Sequence, residues 1–272
     1  MKFTKMHGNG NDFIIIDEFN KVLVPEERKA EFSKWICNRN FAVGADGVIF
    51  VQASEIADAR ARFFNPDGSE ARMCGNGIRC FSRFIVEEGY AEMGKLRVET
   101  LAGIKELEII FDGRWWIKVD MGKPEFEASR IPSSIEVWGL KFGFEGLNYI
   151  LYAVNTGVPH VVTFVDNLDF DIIPIARKIR YSEIFPEGTN VNFARFDGRR
   201  FYVRTYERGV ESETLSCGTG SVAVVAVAKK LGIAEKAEVL TKGGTLKIEV
   251  GERAFMTGSA TRIFDAEMRD EV

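Results

Sequence analysis

Apolar and polar positions alternate with period two along Leu96-Arg97-Val98-Glu99-Thr100, Trp115-Trp116-Ile117-Lys118-Val119 and Leu246-Lys247-Ile248-Glu249-Val250. That alternation predicts half-buried β-strands. The runs holding Phe63 and Phe64, Val203 and Tyr206, and the apolar stretches Phe13 to Asp17 and Val161 to Asp166 add further strands. A longer period governs Ile78, Phe81 and Ile85, which fall at i, i+3 and i+7 and form one apolar stripe of a helix stopped by Gly89. Ser221 to Leu231 is rich in Val and Ala nearly all round, which predicts a buried helix. Pro25 and Pro174 each stand where a helical pattern begins, as proline does in a first turn.

These elements occur twice. Met73-Cys74-Gly75-Asn76-Gly77, closing at Gly89, aligns with Ser216-Cys217-Gly218-Thr219-Gly220, closing at Gly232, at an offset of 143 residues. The turn upstream repeats as well, with Glu70 placed as Glu213 is. Setting Asp17 against Asp166 also sets Pro25 against Pro174, at an offset of 149. The order in each half is strand, helix, several strands, Cys-Gly loop, helix, strands. We therefore expect an α+β fold of two pseudo-equivalent halves, residues 1–121 and 122–261, joined near Asp120 to Glu125, with 262–272 a candidate to pack back on the first half. The active site is expected between the halves.

Composition narrows the function classes. The 272 residues are 46% hydrophobic and 28% charged, as in globular chains. The 36 Lys and Arg are scattered among 40 Asp and Glu, so no basic patch marks a nucleic-acid partner. Met1 to His7 runs into a Gly/Asn cluster rather than a signal-peptide core, and no stretch approaches the roughly 20 apolar residues of a membrane span. A cytoplasmic place without membrane association is expected. The cysteines at 37, 74, 80 and 217 form neither a C-x-x-C pair nor a disulfide framework, and no metal site is indicated.

Each Cys-Gly-x-Gly element sets a sulfur immediately before a helix, where backbone N–H groups and the helix dipole favour negative charge and lower a thiol pKa. The glycines admit a ligand close to the backbone, and the N–H groups of Gly75, Asn76, Gly218 and Thr219 suit a carboxylate. Two such loops in matching positions fit stereoinversion at an amino-acid α-carbon, in which one group removes the proton from one face and another delivers a proton to the opposite face. Cys37 and Cys80 lie inside amphipathic patterns and read as core. Gly218-Thr219-Gly220-Ser221-Val222-Ala223 matches a dinucleotide fingerprint only weakly, because polar Glu211 to Thr214 stand where a strand should precede it. His7 and His160 are the only histidines; His160 follows Gly157-Val158-Pro159 at the end of a strand pattern, a turn position able to point toward Cys74. Glu207-Arg208 leads into the second glycine loop and is assigned to the site, although an exposed ion pair is the commoner use of such residues. For Asn11, Asn65 and Asn190, local capping is the plain alternative to substrate contact.

The sequence resembles the diaminopimelate epimerase family over essentially its whole length. The motifs are His7-Gly8-Asn9-Gly10-Asn11-Asp12-Phe13, Gly44-Ala45-Asp46-Gly47, Asn65-Pro66-Asp67-Gly68-Ser69-Glu70 leading to Met73 through Cys80, and Glu207-Arg208-Gly209 leading to Glu213-Thr214 and Cys217-Gly218-Thr219-Gly220. The resemblance implies duplicated halves, each a central helix wrapped by strands. It implies cofactor-independent interconversion of LL- and meso-2,6-diaminopimelate, with Cys74 and Cys217 as the two bases. It implies a carboxylate held by Gly75, Asn76, Gly218 and Thr219, a substrate fixed by Asn11, Asn65, Asn190, Glu207 and Arg208, and His160 and Glu207 near the thiols. The partner is then the small-molecule substrate, and a homodimer is compatible with the reading. Two departures stand out. Val158 replaces a family Asn, for which Asn155 is a candidate substitute, and Gly47 replaces a Gln found in some members. A racemase of another amino acid, or a protein that only captures amino acids, is the competing reading.

Overall fold

The computed structural model describes residues 1–269, so the last three residues of the 262–272 segment lie outside the described residues. Two compact units emerge: Met1–Val119 together with the C-terminal stretch that begins at Gly258, and Asp120–Thr257.

In the first unit, β1 (Lys2–Gly8) and β2 (Asn11–Asp17) form a hairpin, α1 (Lys29–Ile36) follows, and β3 (Gly47–Gln52) runs parallel to β2. Next come β4 (Ala59–Phe64), antiparallel to β3; the short β5 (Glu70–Ala71); α2 (Gly75–Glu87); β6 (Lys95–Thr100), parallel to β4; and then β7 (Gly103–Phe111) and β8 (Trp115–Gly122) in a meander.

The second unit begins with β9 (Trp138–Phe144) and then repeats that order as β10 (Leu147–Asn155), β11 (Pro159–Phe164), α3 (Ile173–Arg180), β12 (Asn190–Phe196), β13 (Arg200–Glu207), β14 (Ser212–Thr214), α4 (Gly218–Lys230), β15 (Lys236–Thr241), β16 (Gly244–Val250) and β17 (Ala254–Ser259). Its ladders repeat too. β11 is parallel to β12 and β13 is parallel to β15, while the other neighbouring pairs are antiparallel. The outer edge of β10 is covered by β9, its hairpin neighbour, and the outer edge of β1 by β18 (Thr261–Glu267), the last strand among the described residues.

The two long helices are central. α2 packs on β1 to β4 and buries Ile78, Phe81 and Ile85 completely, while Gly89 follows it at φ +75°. α4 packs on β10, β11, β12 and β16, and every residue from Ser221 to Ala228 is buried. Its β-branched valines each cost about half a kcal/mol in helix propensity, but burying each stabilises by roughly 1.5 kcal/mol or more, so burial decides. α1 and α3 close the opposite faces, over Phe32, Ile36 and Phe50 in the first unit and Ile175, Ile179 and Phe193 in the second. Among the described residues no helix is long and apolar enough to cross a membrane.

One ion pair sits wholly inside the first unit. Lys29 Nζ lies 2.7 Å from Glu18 Oε2, and both side chains are essentially inaccessible. Gln52 and the backbone N–H groups of Leu23 and Val24 complete the Glu18 carboxylate, and Lys29 also donates to Val24 O. Replacing Lys29 by Met strands the carboxylate and is expected to destabilise the chain by about 3–5 kcal/mol in urea unfolding. Replacing Arg200 by Ala breaks only a half-exposed pair with Glu238 and is expected to cost less than about 1 kcal/mol.

Candidate active site

Both Cys-Gly loops have the same local geometry. Cys74 is the N-cap of α2, in extended conformation, and its Sγ accepts a hydrogen bond from Gly77 N at 3.4 Å. Cys217 is the N-cap of α4, and its Sγ accepts from Gly220 N, also at 3.4 Å. Sulfur thus occupies the capping place usually held by a Ser or Asp oxygen, where the N–H dipoles favour a thiolate. The following two amides, of Gly75 and Asn76 in one loop and Gly218 and Thr219 in the other, lie in the first turn, where a helix supplies its own N–H groups with no i−4 acceptor. The loop glycines are needed. A Cβ on Gly220 would lie 2.3 Å from Asn192 Oδ1, and one on Gly77 would press the Phe63 ring at 3.0 Å.

In the first unit the Cys74 loop is met by the β1–β2 hairpin. Asn9 and Gly10, at φ +52° and +82°, make the two-residue turn, and the registered pair Gly8–Asn11 delivers Asn11 beside the helix end. The glycine cluster near the N-terminus is therefore a hairpin turn. Asn11 Oδ1 lies 3.9 Å from Cys74 Sγ and accepts from Asn76 Nδ2 at 3.3 Å, while Asn11 Nδ2 donates to Asp46 Oδ2 at 2.9 Å. Asp46 shares Arg39 with Asp12, and Asp12 also pairs with Lys5. Partial burial pushes the Asp12 carboxyl up, but hydrogen bonds from Arg39 and Lys5 outweigh it and hold the group at about 2. Under the loop, Arg79 is fully buried and donates to Asn9 Oδ1, Asn76 Oδ1, Gly75 O and Ser259 O. Burial lowers its pKa to about 10, which leaves it cationic at neutral pH.

In the second unit the Cys217 loop is met by the start of β11, so His160 stands within a strand, paired with Val154 and Asn190, and not at a turn. His160, fully buried, places Nε2 2.9 Å from Thr219 Oγ1, and Thr219 Oγ1 lies 3.4 Å from Cys217 Sγ. Burial and the nearby charge of Arg208 push the imidazole down to about 3, so it is neutral at physiological pH. Asn190 ties the strand ends together, donating to Pro159 O at 2.9 Å and accepting from Arg208 N at 2.8 Å. Arg208 Nη1 donates to the carbonyls of Glu187 and Gly188, and Glu207 is half-buried at the end of β13.

Of the residues singled out from sequence, Asn11, Cys74, Gly75 and Asn76 come together in the first unit, and His160, Cys217, Gly218 and Thr219 in the second. Asn65 sits at the exposed turn after β4 with its carboxamide on Ser69 Oγ. Asn155 is used locally: it donates to Arg130 O and accepts from Gly157 N. Cys37 and Cys80 are buried, and burial raises both thiols to about 12, which keeps them protonated and inert. Sequence reasoning missed Asn192, Thr205 and the buried role of Arg79. Their signal was a polar residue in register with apolar neighbours: Asn190 and Asn192 interleaved with Val191 and Phe193, and an Arg in a helix otherwise rich in buried residues.

The repeat extends to side-chain pairs. Arg62 grips Glu70 through Nε and Nη2 in the first unit, and Arg204 grips Glu213 in the same way in the second. Asn11 bonds Asn76 as His160 bonds Thr219. A family model described as diaminopimelate epimerase matches residues 3–127 and 152–263.

The chain belongs to the diaminopimelate epimerase family.

Diaminopimelate epimerases of known sequence are similar along its whole length. The protein of Archaeoglobus fulgidus is 65% identical over 98% of this chain and 96% of its own, and that of Methanothrix thermoacetophila is 52% identical over 100% and 97%. The fold recurs at low identity. A phenazine biosynthesis protein of the PhzF family from Bacillus anthracis superimposes with TM-score 0.75 at 19% identity, covering 98% of both chains. A hydroxyproline epimerase from Agrobacterium vitis gives 0.67 at 16%, covering 98% of this chain and 91% of its own. Among the described residues no group of three or more His, Cys, Asp or Glu side chains is arranged to hold a metal ion.

The depressed His160 pKa has a thermodynamic consequence for this epimerase-family chain. The unfolded imidazole takes a proton below its ordinary value of 6.5, and the folded one does so only near 3, so the contribution to stability is complete above pH 6.5 and is lost progressively below it. At pH 5 the loss is expected to reach about 2 kcal/mol. The depressed carboxylates Asp12 and Glu211, held at about 2, act only below about pH 4.5. Urea unfolding between pH 7 and 5 is therefore expected to weaken in the parent chain and to stay nearly level in His160→Gln.

Proposed function

We propose that the chain interconverts LL- and meso-2,6-diaminopimelate, a step of lysine biosynthesis, with Cys74 and Cys217 as the acid–base pair. The observation that carries this reading is the repeated thiol N-cap: the same sulfur-accepting geometry at the head of the central helix in each half. A thiolate removes the α-hydrogen as a proton and becomes a thiol. The electron pair left on the α-carbon delocalises into the adjacent carboxylate, which the amides of Gly75, Asn76, Gly218 and Thr219 stabilise. The second thiol then gives its proton to the opposite face and becomes a thiolate, so the two sulfurs exchange roles with each turnover. Near-matched acid and base suit this exchange, because general acid–base catalysis works best with groups close to the operating pH.

In this reading Asn11, Asn65 and Asn190 orient the substrate, while Glu207 and Arg208 read its distal amino-acid end, the Arg fork suiting a second carboxylate. His160 and Glu207 tune the thiols. The relatives at 65% and 52% identity, both diaminopimelate epimerases by name, support diaminopimelate over proline or hydroxyproline. A cytoplasmic place, self-association as a homodimer and independence from any cofactor belong to the same proposal.

Cys74→Ala and Cys217→Ala are each expected to lower kcat for epimerisation by at least ~10²-fold, followed by NMR as entry of solvent deuterium at the α-carbon of LL-diaminopimelate. Cys37→Ala is expected to turn over normally. Retained turnover in either loop variant sinks the two-base reading. Lysine lacks the distal carboxylate and leaves its binding groups unpaired, so its kcat/KM is expected to lie about 10⁴-fold below that of diaminopimelate; comparable turnover would show that the distal end is not read.

A further inference from the structure

The duplicated frame places opposite hydrogen-bonding polarity beside its two sulfurs. At one pair of equivalent positions stand Asn11 and His160, and at another Asn76 and Thr219. Asn11 turns a carbonyl oxygen toward Cys74 Sγ, at 3.9 Å, because its Nδ2 is taken by Asp46. An acceptor there favours a sulfur that carries a proton.

In the second half the polarity is set three bonds away. Asn192, fully buried on β12, donates from Nδ2 to Val161 O at 2.8 Å and to His160 Nδ1 at 3.0 Å. Its Oδ1 accepts from Thr205 Oγ1 at 3.0 Å. Flipping the carboxamide would turn Oδ1 onto the Val161 carbonyl, so this orientation is fixed. His160 Nδ1 is then an acceptor, and in a neutral ring the hydrogen must sit on Nε2. That hydrogen is donated to Thr219 Oγ1 at 2.9 Å, which leaves the threonine hydroxyl hydrogen available to Cys217 Sγ, 3.4 Å away. With the hydroxyl turned that way, Cys217 Sγ has two donors, Thr219 Oγ1 and Gly220 N–H.

We propose that Asn192, oriented by Thr205, is a positioning residue that locks His160 in its Nε2–H tautomer and thereby makes Cys217 the sulfur held as thiolate in the unliganded protein, with Cys74 holding the proton. This rests on the two-base reading above, and it assigns which sulfur begins as base. The charged group acting on His160 is Arg208; Glu207, the last residue of β13, precedes it in the chain. Elsewhere on the strands packed against α4, Lys236 is paired with Glu249, Glu238 with Arg200, and Arg195 lies over the Tyr202 ring. On the Cys74 side the buried cation is Arg79, and it works in the opposite sense.

The test has two arms, neither of which needs turnover. With only His7 and His160 in the chain, ¹⁵N-histidine NMR at neutral pH reports the tautomer of each ring; His160 is expected as Nε2–H, and an Nδ1–H signal overturns the proposal. Iodoacetamide alkylation across pH, resolved by peptide mass spectrometry, gives a midpoint for each loop cysteine that does not depend on how accessible it is. The Cys217 midpoint is expected below that of Cys74. Asn192→Leu is expected to raise it by about one pH unit, a tenfold loss of thiolate, and to leave Cys74 within twofold. Thr219→Val is expected to give the same rise and Thr219→Ser to restore the midpoint, which covers the case in which Asn192→Leu does not fold. A lower midpoint at Cys74 means that Arg79 dominates, and an unmoved Cys217 midpoint in Asn192→Leu or Thr219→Val means that the relay carries nothing; either outcome overturns the proposal. Loss of epimerisation with both arms as expected would fault the catalytic reading and leave the relay standing.

Discussion

The constraint on which the structure turns is the unsatisfied head of a helix. A helix leaves its first N–H groups without intrahelical acceptors, and a buried helix cannot leave them to water. α4 begins among buried residues and α2 among partly buried ones, and both give one N–H to a cysteine sulfur. That choice of cap ties stability to chemistry: the group that completes the helix is also the group able to gain or lose a proton. The strands around each helix then fix how that cap is surrounded, because the hairpin turn at Asn9-Gly10 and the start of β11 each bring one side chain to the helix end.

Duplication preserved the frame and let the chemistry diverge. The arginine–carboxylate grips that hold each turn, Arg62 with Glu70 and Arg204 with Glu213, are the same device. The residues that touch the sulfurs are not. One half surrounds its cysteine with carboxamides above a buried arginine, and the other with an imidazole and a hydroxyl. At the position of Arg79 the second helix has Val222, fully buried in the apolar core. Equivalent backbones therefore hold sulfurs in unequal electrostatic surroundings, as the proposed acid–base pair needs at the start of a cycle.

Much of this was legible in the chain. The repeat offset located both glycine loops, the apolar stripe through Ile78, Phe81 and Ile85 located a central helix, and the Val/Ala run marked its buried twin, because helix and strand periods are local properties of sequence. What stayed hidden depends on contacts distant in sequence. Asn192 meets His160 only because β11 and β12 run parallel in a particular register, His160 opposite Asn190. Arg79 looks like a surface residue until Asn9 and Ser259 are folded over it. Nor does the sequence show which backbone groups Asn190 and Asn155 bond, Pro159 and Arg208 for the one and Arg130 and Gly157 for the other.

The strand that borders β1 also bears on how the chain is made. β9 borders β10 as a simple hairpin and is available as soon as the ribosome has released it. β18 reaches β1 from the other end of the chain: Thr4 bonds Asp265, 261 residues away, and the Met1 ammonium bonds Met268 O. The first unit thus waits for its closing strand until the second unit has been made. Throughout synthesis its β1 edge stays an open row of backbone donors and acceptors, the kind of edge that recruits stray strands. The second unit, continuous in sequence, closes its ladders without waiting for a distant segment. Two halves of nearly the same architecture therefore face unequal exposure to misassembly, because one is continuous in sequence and the other is not.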